Sequence, residues 1–253
     1  MRTTCLAAAC TAALLLGGAA RPGAAQSLAQ RVTDGPDGTV RLSFAVRPEV
    51  QRDLHDQRYL GAAEWEPDSA HGPARVAFDV VGHRVVAARF HLGGHWLRGG
   101  PRTRDLGDVR ASEAAAYLMD IASHAEGDLA RHAMAPAALA DSAVIWPQLL
   151  ALAKDDTRPE QIRREATFWL SQQAASAATR GLAELAESDG DRQIRRTAVF
   201  ALSQRPADEG LPVLERLART SPDPEVRRQA IFWIGQSHDP RALEFLRGIL
   251  SGT

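Results

Sequence analysis

Apolar positions in the carboxyl-terminal half of the chain recur with a fixed period. The block IRREATFWLSQ at 162–172 returns as IRRTAVFALSQ at 194–204 and as VRRQAIFWIGQ at 226–236, each time 32 residues on without a gap. The same offset links Leu150, Leu182, Leu214 and Leu246, and also Ala153, Leu185, Leu217 and Ile249. In the first block Ile162, Ala166, Trp169 and Leu170 fall at i, i+4, i+7 and i+8, the spacing of one apolar helix face. Thr167/Val199/Ile231 and Phe168/Phe200/Phe232 are expected to widen that face on its flanks. Breakers and capping residues precede each block, at Asp155–Pro159, Ser188–Asp191 and Thr220–Pro224. A period in the thirties means one two-helix unit stacked on copies of itself, because no unit can bury its apolar side alone. Leu150, Leu182 and Leu214 are then expected to share one interior column.

Upstream, Ser112 to Ala125 reads as a helix capped by Ser112, with Ala115, Leu118, Met119 and Ala122 at helical spacing. Leu118 and Ile121 lie 32 residues before Leu150 and Ala153. A second, weaker helix is expected over 128–140, interrupted at Pro136. Residues 112–141 then form a degenerate unit that caps the stack, within a linker-and-cap region at 101–141. From 26 to 100 the pattern changes to period two. Strands are predicted at 39–46, 74–80 and 84–92, the last two joined at Gly82-His83, with 47–73 as a polar connection. Gly93, Gly94, Gly99, Gly100 and Pro101 read as a flexible link. Three strands are near the lower limit of independent stability, so this small antiparallel segment is expected to pack on the first helix pair.

The repeated blocks resemble HEAT repeats, in particular the short HEAT-like type first recognised in phycobilisome lyases. The run Asp223-Pro224-Glu225-Val226-Arg227-Arg228-Gln229-Ala230 and its two earlier copies carry the resemblance, which covers about 142–250. It implies a mainly α chain, a short α-solenoid of helical hairpins at 142–173, 174–205 and 206–237 with a half-repeat at 238–253, preceded by the β segment. It implies a scaffold rather than lyase chemistry. HEAT-like metal oxygenases carry His-Glu dipeptides as iron ligands, and this sequence has none.

The resemblance also implies that the second helices line the inner wall of the array. With Ile162 at the centre of the core face, Arg164 lies about 200° and Ser171 about 180° around the helix. Arg164, Arg196 and Arg228, with Ser171 and Ser203, are therefore expected to form a stripe for the carboxylates or phosphates of a protein or peptide partner. The bland alternative is a solvated face whose arginine stems cover neighbouring helices. The other arginine of each pair (Arg163, Arg195, Arg227) is expected from the HEAT pattern to bond a turn acid of an adjacent repeat. Asp189 supplies one such acid, and Thr157 and Ser221 at the matching positions leave the ladder partial. Trp169 and Trp233 are read as core residues rather than a ligand slot.

Composition narrows the picture. Hydrophobic residues at 45% and charged residues at 24% exclude wholesale disorder, and 30 basic against 31 acidic residues argue against a nucleic-acid binder. The start of the chain reads as a cleaved secretory leader, 1–25: Arg2, an apolar stretch from Leu6 to Ala20, then Gly23-Ala24-Ala25 before Gln26. The apolar stretch is too short for a spanning helix. Ala8-Ala9-Cys10 only loosely matches a lipoprotein signal, with too few residues between it and Arg2. Export to the periplasm or the extracellular space is expected, and both cysteines, Cys5 and Cys10, leave with the leader. The mature chain then relies on its core, without disulfides, thiol chemistry or Cys-ligated zinc.

Candidate chemistry elsewhere is sparse. His83, His91 and His95 are expected near one sheet edge, at a spacing that matches no established ligand pattern. Nothing fixes a separation between Asp53, Asp56, Glu64 and Glu66, and there is no nucleophile elbow, phosphate loop or dinucleotide fingerprint. The expectation is an exported scaffold without catalytic residues, metal or cofactor. The alternative is a metal-binding, ligand-binding or enzymatic role centred on the β segment.

Overall fold

The computed structural model describes residues 26–48, 65–66 and 72–251. The expected leader and most of the 47–73 connection lie outside the described residues. After a short capped helix α1 (Leu28–Thr33), the three expected strands form as β1 (Gly38–Phe44), β3 (Ala74–Val81) and β4 (Arg84–Leu92). They pair antiparallel as predicted, with β1 beside β3 and β3 beside β4. A further strand, β6 (Thr103–Asp108), joins β1 in parallel, giving the order β4-β3-β1-β6. The sheet is therefore mixed rather than wholly antiparallel, and 103–108 is not simply linker. Its run TRDLGD holds a single apolar residue because it is an edge strand, so the hydrophobic pattern is silent there. Strands β2 (Trp65–Glu66) and β5 (His95–Trp96) make a separate two-stranded ribbon.

One face of the sheet is apolar. Val40, Leu42 and Phe44 of β1 and Val76, Phe78 and Val80 of β3 are buried. They pack on the first helical pair, α2 (Ala111–His124) and α3 (Gly127–Leu139), where the Phe78 and Tyr117 rings meet edge to face at 5.6 Å. The other face of β1 is covered as well. Arg41 is buried with its guanidinium 4.7 Å above the Trp96 ring and one N–H donated to the Leu97 carbonyl. Helix α2 starts at Ala111 with Arg110 as its cap, so Ser112 stands inside the first turn rather than capping it. Helix α3 runs through Pro136 instead of breaking there. The proline forfeits a hydrogen bond near the helix end, and burial of its ring offsets part of that cost.

Three hairpins follow: α4 (Trp146–Lys154) with α5 (Glu160–Ser171), α6 (Ser176–Ser188) with α7 (Arg192–Ser203), and α8 (Ala207–Thr220) with α9 (Pro224–Gln236). Helix α10 (Pro240–Ser251) stands as the half-unit. Asp191 caps α7 and Asp223 caps α9 through bonds from Gln193 N and Glu225 N, while Pro159 at the cap position of α5 offers no side-chain bond. The repeated apolar triples Ile162/Ala166/Leu170, Ile194/Ala198/Leu202 and Val226/Ala230/Ile234 are all buried. Leu182 and Leu214 form the interior of the leucine column, and Leu150 and Leu246 at its two ends are partly buried. Each fully covered leucine contributes on the order of 1.5–3 kcal/mol.

Sheet, cap and array share one continuous hydrophobic cluster. Two arginines stitch the parts together. Arg47, just after β1, donates to the carbonyls of Ala138 and Gln172, and Arg158 donates to those of Ala122 and Ala125. The β segment is thus built onto the solenoid's first unit.

Six carboxyls of the described residues lie below their ordinary range: Asp79, Asp155, Glu209, Asp223, Glu225 and Asp239. Asp79 is lowered first by the Arg89 guanidinium, Glu209 first by the Thr179 hydroxyl and then Arg205, and Asp223 first by the Glu225 backbone N–H. A carboxyl lowered in the folded state stabilises it fully above the unfolded value, about 4, and loses that contribution as pH falls through the lower folded value. The melting temperature is expected to stay level from pH 7 to about 5 and to fall progressively below about 4. Thermal melts followed by circular dichroism check this, and a level midpoint down to about pH 3 would contradict it.

Candidate partner-binding groove

Helices α5, α7 and α9 pack side by side, with α3 before them. Gln161, Arg164, Glu165 and Phe168 fall at i, i+3, i+4 and i+7 and so share one face of α5. Gln193, Arg196, Thr197 and Phe200 repeat that face on α7, and Gln229 and Trp233 continue it on α9. With Arg131 of α3 these side chains line a groove of about 640 Å³. The structure thus gathers Arg164 and Arg196 in one place, as expected from their matching positions in the repeat. Their side chains are 47% and 43% exposed, and their ion pairs are long: 3.6 Å to Glu160 and 4.0 Å to Glu225. Guanidiniums held so loosely keep donors for another molecule.

The remaining stripe residues are placed differently. Arg228 is absent from the groove lining and pairs with Glu225, which also faces Arg192 and Arg196. The Arg228 guanidinium first, then the Gln229 amide and Arg192, hold the Glu225 carboxyl below its ordinary range. Ser171 is buried and donates its hydroxyl to the Phe168 carbonyl at 2.6 Å; Ser203 does the same to Phe200 at 2.7 Å. Each serine is the last residue of its helix, where carbonyls lack an intrahelical partner, so the hydroxyl turns back instead of facing a groove. Gln172 and Gln204 donate in turn to these serine hydroxyls at 3.1 Å.

The aromatic positions also depart from expectation. Phe168 is 39% and Phe232 is 53% exposed, so neither extends the core face. Trp169 and Trp233 are half-buried against the core, and Trp233 reaches the groove. Trp169 donates its indole N–H to Glu165 at 2.8 Å and meets the Phe168 ring edge-on at 5.1 Å. Phe200 and Trp233 lie 5.0 Å apart. The groove therefore has an aromatic row beside its arginine row.

Arg163 and Arg195 serve the framework. Arg163 is buried and bonds Asp189 at 2.6 Å, as its place in the repeat predicted. Arg195 finds Asp223 at 3.0 Å, two residues beyond the Ser221 that left the ladder partial in the sequence. Arg227 donates to the Ser221 and Pro222 carbonyls.

The histidines do not converge. His83 sits in the β3–β4 turn with a positive φ, and His91 lies eight residues along β4, about 26 Å away in an extended strand. His91 is buried edge-on to Trp96, and His95 is exposed. Among the described residues no group of three His, Cys, Asp or Glu side chains is placed to hold a metal ion. Asp53, Asp56 and Glu64 lie outside the described residues.

Two residues escape a reading of the sequence. Arg131 precedes Arg164 by 33 residues rather than 32, so a strict register passes over it. The burial pattern carries the signal: Ala130, Ala133, Met134 and Ala137 match Arg163, Ala166, Thr167 and Leu170 at that offset. Arg205, buried at the α7–α8 turn, occurs in one repeat alone and has no periodic signal at all.

Stacked hairpins with a groove on their second helices define a short α-solenoid. The family described as HEAT repeats matches residues 146–230 and, overlapping, 179–253, so the helices of this part of the chain form HEAT-like repeats. No curated protein matches the chain. No helix of the described residues is long and apolar enough to cross a membrane.

Proposed function

We propose that this protein is a non-catalytic, exported scaffold that holds a protein or peptide partner in the groove of α3, α5, α7 and α9. One observation carries the reading: successive helices present exposed Arg164 and Arg196 and, beside them, exposed Phe168 and half-buried Phe200 and Trp233 to a single groove, while Arg163 and Arg195 are consumed by the framework. Arginines beside partly buried rings suit recognition, where Arg and aromatic residues dominate binding energy. HEAT repeats commonly mediate contacts between proteins, and the leader-like sequence of 1–25 supports export. A relatively rigid array also lowers the ordering cost of binding.

The test is a photo-crosslinking amino acid at Phe200, in the groove, or at Val144, exposed elsewhere. In the native cell envelope Phe200 is expected to give a discrete adduct and Val144 none. Arg164→Ala with Arg196→Ala should cut the adduct several-fold with unchanged helicity, because loose surface ion pairs add little stability. Equal adducts at both positions, or indifference to the arginines, would remove the groove as the site.

A further inference from the structure

Helix α10 leaves open a face that the two hairpins before it keep covered. At the 32-residue offset its Leu243, Leu246 and Leu250 stand where α8 has Leu211, Leu214 and Ala218, and where α6 has Thr179, Leu182 and Ala186. Those six residues are buried. On α10, Leu243 is 52% and Leu250 is 88% exposed, and Leu246 is only partly covered. Ile231 of α9 extends the patch: it is exposed, whereas its equivalents Thr167 and Val199 are buried.

Contacts within the array show what this face is built to meet. Thr179, at the place of Leu243, donates its hydroxyl to Glu209 of α8. Leu150 of α4, at the place of Leu246, lies over Gly181 of α6, where an added Cβ would meet both leucine methyls at 2.8 Å. Lys154, at the place of Leu250, pairs with Glu184 of α6. In all three cases the partner is the first helix of the following hairpin. The patch on α10 is therefore a helix-docking face. It is not the polar outer surface that lets the end of a solenoid stand in water.

The opposite end of the array has no free helix to offer. There α2 and α3 pack on the first hairpin and the sheet packs on them, with Arg47 and Arg158 bonded across the junctions. Head-to-tail stacking of copies is blocked by that cover, so a copy that closes α10 brings its own α10. The face suits itself: it is apolar along its length, and the exposed Glu244 and Arg247 beside it are opposite in sign.

We propose that α10, with Ile231, seats the same face of a second copy of this chain, giving a closed two-fold dimer. The pairing extends the packing of first helix on first helix that builds the array. It uses none of the residues that line the groove, so it stands or falls apart from the reading of the groove.

Sedimentation velocity of the purified protein over a concentration series tests this. The mass is expected to rise from monomer to dimer and to stop there. Leu243→Glu with Leu250→Glu puts charge where the copies meet and should raise the dimer Kd at least about tenfold. Helicity and melting temperature should hold at low concentration, because both side chains are exposed in the single chain. Val144→Glu, at an apolar residue exposed near the start of the array, should leave the Kd unaltered. A protein that stays monomeric up to roughly 100 μM overturns the proposal. Growth beyond the dimer overturns it too, as does a double variant that dimerises as tightly as the parent or a Val144→Glu variant that is weakened equally.

Discussion

Arg205→Ala is expected to lower the unfolding free energy by about 3–5 kcal/mol. The arginine is 6% exposed and its guanidinium donates in several directions. Its Nε reaches the Thr179 hydroxyl at 2.9 Å, Nη1 the carbonyls of Ser171 (3.0 Å) and Gln173, and Nη2 the carboxylate of Glu209 at 2.6 Å. Thr179 itself donates to Glu209 at 2.5 Å. One side chain therefore ties the end of α5, the turn to α6, α6 itself and the start of α8. Truncation strands the Ser171 and Gln173 carbonyls where water enters poorly, each at a cost of about 1–3 kcal/mol, while the Glu209 side chain, 27% exposed, regains water in part. In a nearly one-dimensional array, loosening one interface uncouples the units on either side. Urea unfolding followed by circular dichroism should show both a lower midpoint and a broader transition. Arg205→Lys should rescue little, because a single ammonium cannot span this set of acceptors. A cost under about 1 kcal/mol would mean that the network is dispensable.

That Arg205 has no sequence signal while Arg163 has a clear one shows where periodic reasoning works. Core positions must repeat because each unit meets the next through the same face, so Ile162, Ile194 and Val226 are legible along with the helices that carry them. Turn residues answer to one junction each. At the position of Arg205 the preceding unit has Gln173, whose side chain reaches only the Trp169 carbonyl. A residue used once leaves no period behind.

The groove is half legible for related reasons. A helical wheel places Arg164 and Arg196 away from the core, and they line the groove. The same wheel puts Ser171 beside them by assuming that the helix continues, whereas α5 ends at that residue. Phe168 reads by its hydrophobicity as core, although its angle lies nearer Arg164 than Ile162; position outweighs residue type. Arg131 is hidden by one extra residue between the cap and the first true repeat. Strand β6 is invisible because an edge strand with polar side chains has no alternation to read.

Graded substitution along the Arg163, Arg195 and Arg227 series is expected to follow burial rather than sequence identity. Arg163 and its partner Asp189 have side chains only 6% and 8% exposed, and Arg163 also donates to the Ala153 carbonyl at 3.0 Å. Arg163→Ala leaves a buried, uncompensated carboxylate and should cost about 3–5 kcal/mol. Arg195 and Asp223 are 20% and 26% exposed, so water can replace part of what is lost, and Arg195→Ala should cost about 1 kcal/mol. Arg227 meets only carbonyls in its own turn, so its loss should cost about 0.5 kcal/mol. Three arginines in matching places of the repeat thus span a severalfold range. The cause can be isolated at the first of them. If the penalty is the stranded charge, Asp189→Asn added to Arg163→Met should recover much of the loss. The amide removes the charge but keeps an oxygen for the Asp191 N–H that Asp189 now accepts at 2.9 Å. Recovery in chemical unfolding would identify desolvated charge as the main cause. A double variant no more stable than Arg163→Met alone would point instead to the stranded Ala153 carbonyl, which loses its bond from Arg163.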